Sequence, residues 1–197
     1  MVRGYHLILS AYGFWLPNDP RGSWSTFVRE WELARYGKAT KVNHRRSVAY
    51  QPHDVAQRYA AKQALRRPPV RFNGQQARAI TRGFAERADR SGYVVHACAI
   101  MPDHAHLVIA RHRYHAEQIA NLLKGASTRR LIEENLHPFA DEAHRDRRCP
   151  SPWARKHWQC FLSSHHEMER AIRYVQQNPR KEGMRAQQWK FVQPYTR

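Results

Sequence analysis

Acidic residues are scarce in this chain of 197: 16 Asp and Glu stand against 34 Lys and Arg, a net charge of +18 with histidine neutral. So large an imbalance favours a polyanionic partner, and nucleic acid is the commonest one. Cysteine is scarce too. Cys98, Cys149 and Cys160 are an odd number, far apart, with no CxxC, which argues against a disulfide scaffold or a zinc ribbon and suits a reducing compartment. Long apolar runs are missing: none approaches the roughly 20 residues of a membrane span, and the N-terminus lacks a signal-peptide pattern. The expected location is cytoplasmic, in association with the nucleoid. Even lysine is rare, with seven against 27 arginines. Arginine forks onto phosphate and stacks on bases in a way lysine does not.

Hydrophobic residues make up 42% of the chain, enough for one core, and the length suits one domain. Tyr5 to Gly13 is short, apolar and aromatic, as a buried strand is, and the turn cluster Pro17 to Gly22 stops it. From about Arg29 to Val70 basic and polar residues dominate, which reads as a basic insertion. Within it a helix is expected from near Asp54 up to Pro68-Pro69. Ala77, Ile80, Phe84 and Ala88 follow helical spacing up to Gly92. Tyr93–Met101 and His104–Ala110 read as a hairpin turned by Pro102-Asp103. A helix over Ala116–Glu134, a strand over Trp158–Ser163 and a helix from His165 to Asn178, closed by Pro179, complete the pattern. The order strand, helix, hairpin, helix, strand, helix implies a compact α+β sandwich, an antiparallel sheet with helices packed on it.

Histidine is abundant, with 13 copies, so most are ordinary surface residues. His104 and His106 differ by their setting. Residues i and i+2 of a strand share a face, so Ala105, Leu107 and Ile109 take the opposite face and bury. Two imidazoles then stand side by side, and neutral imidazole is the commonest ligand of transition metals. Asp103 either caps the hairpin or orients a histidine; Pro-Asp favours the turn role. In the last helix Met168, Ala171, Ile172 and Val175 form one apolar stripe. Tyr174 falls well off that stripe, with Asn178 one turn later on its side. A phenol, with pKa near 10, is a poor nucleophile at neutral pH. A divalent ion held by the two histidines and a third polar ligand would polarise a phosphodiester for its attack.

Met101-Pro102-Asp103-His104-Ala105-His106-Leu107-Val108 resembles the His-hydrophobe-His (HUH) motif of single-tyrosine transposases. Tyr174-Val175-Gln176-Gln177-Asn178-Pro179-Arg180-Lys181-Glu182-Gly183 resembles the tyrosine helix of the REP-associated tyrosine transposases. The opening YHLILSAYGFWLPNDPRG and the segment Trp153 to Trp158 are similar to the same group. The resemblance implies a ferredoxin-like HUH endonuclease fold that cuts and joins single-stranded DNA near hairpins. It implies His104 and His106 as ligands of Mg²⁺ or Mn²⁺ and Tyr174 as the nucleophile, giving a 5′-phosphotyrosine and a free 3′-hydroxyl. Asn178, or alternatively Gln177, completes the metal site. Pro179 is expected to fray the helix at Asn178.

Single strands are held by basic grooves and aromatic stacking platforms. Candidates are Lys124, Arg129 and Arg130 on one helix, Arg155 and Lys156 before the last strand, and Trp15 and Arg21 in the first loop. Arg145, Arg147, Arg148, Trp24, Trp153 and Trp158 are further possibilities. A homodimer is compatible with this reading, as are two alternatives: a non-catalytic nucleic-acid binder, and a replication initiator or relaxase with the same histidine motif.

Overall fold

The computed structural model describes residues 1–14, 16, 19, 31–37, 52–142 and 149–196. Its elements in chain order are β1 (Gly4–Ser10), α1 (Trp31–Ala34), α2 (Val55–Gln63), α3 (Gly74–Ser91), β2 (Val95–Ile100), β3 (His104–Ala110), α4 (Ala116–Glu133), β4 (Trp158–Leu162) and α5 (His165–Lys181). The four strands form one sheet in the order β2-β3-β1-β4, with every pair antiparallel. With α3 and α4 as the two crossovers, this is the split βαβ topology of ferredoxin-like α+β proteins, the architecture expected from the sequence. Among the described residues no helix is long and apolar enough to cross a membrane.

Strand alternation divides the side chains between two cores. Tyr5, Leu7 and Leu9 of β1, Cys98 and Ile100 of β2, and Ala105, Leu107 and Ile109 of β3 pack beneath α3 and α4 with Ile80, Phe84, Ile119, Leu123 and Leu131. Ala97, Ala99, Met101 and Val108 face the other way, against Met168, Ala171, Ile172 and Val175 of α5. That helix packs chiefly on β2 and β3, and Leu162 of β4 joins the same core.

Local signals set the boundaries. The Asp54 side chain accepts from the Gln57 amide to start α2. Asn73 and Gln76 make a reciprocal capping box at α3, which Gly92 ends in the left-handed conformation at φ 70°. Leu16, Leu33 and Ala61 bury together, tying α1 and α2 into a small core; positions 29–30 and 38–51 of the expected insertion lie outside the described residues. The end of α5 departs from expectation, because the helix passes through Asn178 and Pro179 to Lys181. Proline lacks only one amide there, in a final turn whose carbonyls are met from beyond. The Asn178 carbonyl accepts from Glu182 N at 3.2 Å, and that of Pro179 from Met184 N at 2.8 Å. Past α5 the tail returns along β2. Gln187 bonds both the N–H and the carbonyl of Ile100 at 2.8 Å, and Gln193 N donates to Val95 O at 2.8 Å. An otherwise open sheet edge is thereby covered.

The α3–α4 contact depends on the absence of a side chain at Gly83, where a Cβ would meet Ser127 Cα at 2.7 Å and Ala126 O at 2.8 Å. Both are backbone atoms and cannot step aside. Gly83→Ala is expected to destabilise the protein by about 1–3 kcal/mol in urea denaturation, the usual cost of overpacking; unchanged stability would contradict this close helix packing.

Candidate active site

β3 presents His104 and His106 on the face shared with α5, as alternation requires. Their Nε2 atoms lie 2.9 Å apart with the rings nearly perpendicular at 82°. Asp103 Oδ1 is 2.8 Å from His104 Nδ1. The carboxylate expected to serve mainly the turn therefore also orients a histidine, while its backbone carbonyl accepts from Ala11 N at 2.9 Å. On the other side, His106 Nδ1 meets His6 Nε2 at 3.0 Å, and these two rings stack with centroids 5.2 Å apart. In the β1–β3 register His6 lies opposite Val108 and Ile8 opposite His106, so His6 is the diagonal neighbour of His106 on the same face. The result is a continuous row: Asp103, His104, His106, His6.

Tyr174 closes this row from α5. Its ring meets His106 edge-on at 5.6 Å between centroids and His6 at 5.8 Å. The phenol is 43% exposed, off the buried stripe as expected, and its hydroxyl has no hydrogen-bond partner among the described residues. Desolvation first, and Glu182 second, raise its pKa above the ordinary phenol value. Lys181 Nζ lies 5.4 Å from the ring centroid. Asn178 is buried at the end of the sheet-facing stripe, one turn beyond Tyr174, while Gln177 is exposed. Among the described residues neither imidazole is hydrogen-bonded to the Asn178 amide.

Burial pushes His6 down to about 4 and His106 well below the usual histidine range, with neighbouring imidazoles adding to the effect. Both rings are therefore neutral near pH 7, as a nitrogen ligand must be. Two ligands at right angles on a cation with bonds of about 2.1 Å lie about 3.0 Å apart, and the His104–His106 Nε2 separation of 2.9 Å matches that edge. Among the described residues no group of three or more His, Cys, Asp and Glu side chains is placed to hold a metal ion. Any cation here would thus need oxygen ligands from an amide, water or substrate beside the two imidazoles.

The expected DNA contacts separate. Arg155 and Lys156 are exposed just before β4, and Arg129 is exposed on α4. Lys124 is instead buried, its Nζ donating to the carbonyls of Ala154 at 2.9 Å and of Arg155 and Lys156 at 3.2 Å. It fixes the loop that leads into β4 and is not a surface cation; desolvation lowers its pKa to about 8. Arg130 is paired with Glu86, Glu133 and Glu134, so its charge serves the α3–α4 seam. Trp153 is core, packed on Phe72 and Phe84, with its indole N–H donated to Ser127. Trp158 sits opposite Ile8, which itself faces His106, so it stands on the site's face two strands over. Trp15, Arg21, Trp24, Arg145, Arg147 and Arg148 lie outside the described residues. His6 is the residue that sequence reading missed, although its alternation with Ile8 and Ser10 was the available signal.

The profile of the IS200-like transposase family matches residues 64–178, a span that includes His104, His106, Tyr174 and Asn178. The chain belongs to the IS200-like transposase family, and its function is transposase-like. No match is found among curated proteins. Among solved structures, a REP-associated tyrosine transposase bound to a REP hairpin aligns over 92% of this chain and 68% of its own, with 9% identity and a TM-score of 0.46. A protein from Deinococcus radiodurans R1 assigned as a transposase aligns over 95% and 94%, with 16% identity and a TM-score of 0.39.

Two outcomes follow. Lys124→Met leaves three carbonyls without their donor and should cost about 1–3 kcal/mol in chemical denaturation; unchanged stability would return Lys124 to the surface. Between pH 6.5 and about 4 the unfolded imidazoles of positions 6 and 106 take up protons that the folded rings refuse. The unfolded state then binds more protons, so stability rises with pH across this window. Melting temperature should fall steadily from pH 6.5 to 4.5, and less steeply in His6→Gln; parallel profiles would contradict the burial of that ring.

Proposed function

We propose that the chain cleaves and rejoins single-stranded DNA near hairpins, with Tyr174 as the nucleophile. The observation that carries this is the placement of the Tyr174 ring against His106 and His6 within one chain. A second subunit is then not needed to supply the tyrosine. The phenol oxygen attacks phosphorus, forming a 5′-phosphotyrosine as the bond to the 3′-oxygen breaks. The phenol proton leaves and the 3′-oxygen leaves protonated, so the bond energy is kept in the new diester. In the reverse step a 3′-hydroxyl attacks the phosphotyrosine and the phenol regains its proton, which joins DNA ends without a nucleotide cofactor.

His104 and His106, with Asn178 as the third protein ligand, would hold Mg²⁺ or Mn²⁺; when bound, the ion supplies charge opposite the non-bridging phosphate oxygens. The spacing of the two Nε2 atoms supports this assignment. Asp103 keeps the hydrogen of His104 on Nδ1, away from the pair. Tyr174 is a neutral phenol at rest, as any phenol is near pH 7, and desolvation raises its pKa further, so it does not repel an incoming phosphate before reaction. Arg155 and Lys156 are suited to the backbone and Trp158, opposite Ile8 of β1, to a stacked base. Trp15, Arg21 and Arg129 remain DNA contacts in this reading, and residues 29–70 a basic insertion within a single domain, whose charge adds to DNA binding.

Incubation with a library of single-stranded hairpins and Mn²⁺ should give a protein–DNA adduct that survives boiling in detergent. Tyr174→Phe should reduce the adduct to background while binding changes less than about threefold, and EDTA should abolish the wild-type adduct. An adduct in Tyr174→Phe would overturn the nucleophile assignment, cleavage in EDTA the cation, and salt-sensitive binding with no adduct would favour a non-catalytic binder.

A further inference from the structure

Three of the four polar groups in the row on the sheet are accounted for by cleavage as proposed above: Asp103, His104 and His106. His6 is not. We propose that His6 is a positioning residue, which accepts the hydrogen of His106 Nδ1 when His106 Nε2 holds a divalent cation and so supports the ligating form of that ring. This inference rests on the cation-assisted reading.

The geometry is specific. A neutral imidazole has one N–H, so a ring that ligates through Nε2 must hold its hydrogen on Nδ1. That hydrogen needs an acceptor, and His6 Nε2 at 3.0 Å is the partner present. The stacked arrangement of the two rings, 29° between planes, limits how far His106 can turn. His104 is served in the same manner by Asp103 Oδ1 at 2.8 Å. Each histidine of the pair thus has its own partner behind it, the arrangement that orients metal-ligating histidines generally.

The two partners differ in one respect. A carboxylate oxygen only accepts, whereas His6 Nε2 either accepts or donates. Without a cation the two facing Nε2 atoms, 2.9 Å apart, need one hydrogen between them. His106 supplies it to His104 when His6 donates into His106 Nδ1. With a cation both Nε2 atoms must be bare, and His6 then accepts. The change keeps both rings neutral: the hydrogen between the pair goes to solvent, His6 passes its Nε2 hydrogen to His106 Nδ1, and solvent returns one to His6 Nδ1. Phenylalanine keeps the ring's shape and does neither; a glutamine amide reaches a similar place and does both.

The test is Mn²⁺ binding to the full chain without DNA, followed by the electron paramagnetic resonance of free Mn²⁺. His6→Phe should bind about 10- to 100-fold more weakly than the wild type, and His6→Gln within about threefold of it. Wild-type affinity in His6→Phe, or an equal loss in His6→Gln, overturns the inference. A wild type that binds no better than His106→Ala overturns the cation reading itself, and the role of His6 with it. Nitrogen-15 NMR of the Mg²⁺-loaded wild type gives a readout that requires no variant to fold: the His106 hydrogen is expected on Nδ1, and finding it on Nε2 overturns the assignment.

Discussion

The contact between the two Nε2 atoms of His104 and His106 sets the terms for the rest of the structure. It requires β3 to be regular, so that residues two apart share a face, and it requires Ala105 and Leu107 to be held firmly on the other side. Both are fully buried under α3 and α4. It requires the rings to be oriented from behind, which Asp103 does from the hairpin turn and His6 from the adjacent strand. The central position of β3 in the sheet, between β2 and β1, allows both supports.

The two faces of the sheet have different duties. Under α3 and α4 the packing is apolar and dense, close enough at Gly83 to exclude a methyl group. On the other face α5 covers the β2–β3 half, and along the boundary of that cover the histidine row and Tyr174 meet. Burial beside a partly exposed phenol gives neutral imidazoles and a protonated tyrosine. Beyond the boundary Ile8 and Trp158 carry the same face toward exposed Arg155 and Lys156. Those two cations keep their charge at the surface, whereas Lys124 and Arg130 are taken up by the fold.

Much of the fold and the outline of the site were legible in the sequence, because both rest on periodicity. Alternation in His104–Ala110 separates the histidines from the core, and helical spacing in α5 separates Tyr174 from Met168 and Val175. His6 obeys the same alternation, yet its role depends on the β1–β3 register, which is set by long-range pairing. Residue type alone puts Lys124 at the surface; its position, between Ala120 and Ser127 on the buried side of α4, places it inside. The local conformational preference of Pro179 marks it as a helix terminator. In the fold, hydrogen bonds from Glu182 and Met184 complete the turn that a proline alone would not hold.

The central claim is that two imidazoles of β3 form a cation site facing Tyr174 of the same chain. The most direct measurement is an anomalous difference map from crystals of the chain grown with Mn²⁺, collected near the manganese edge. The account predicts one strong peak bonded to both Nε2 atoms, on the side from which the Tyr174 hydroxyl is reached. A map without a peak at the pair, or with its strongest peak elsewhere on the chain, would contradict it.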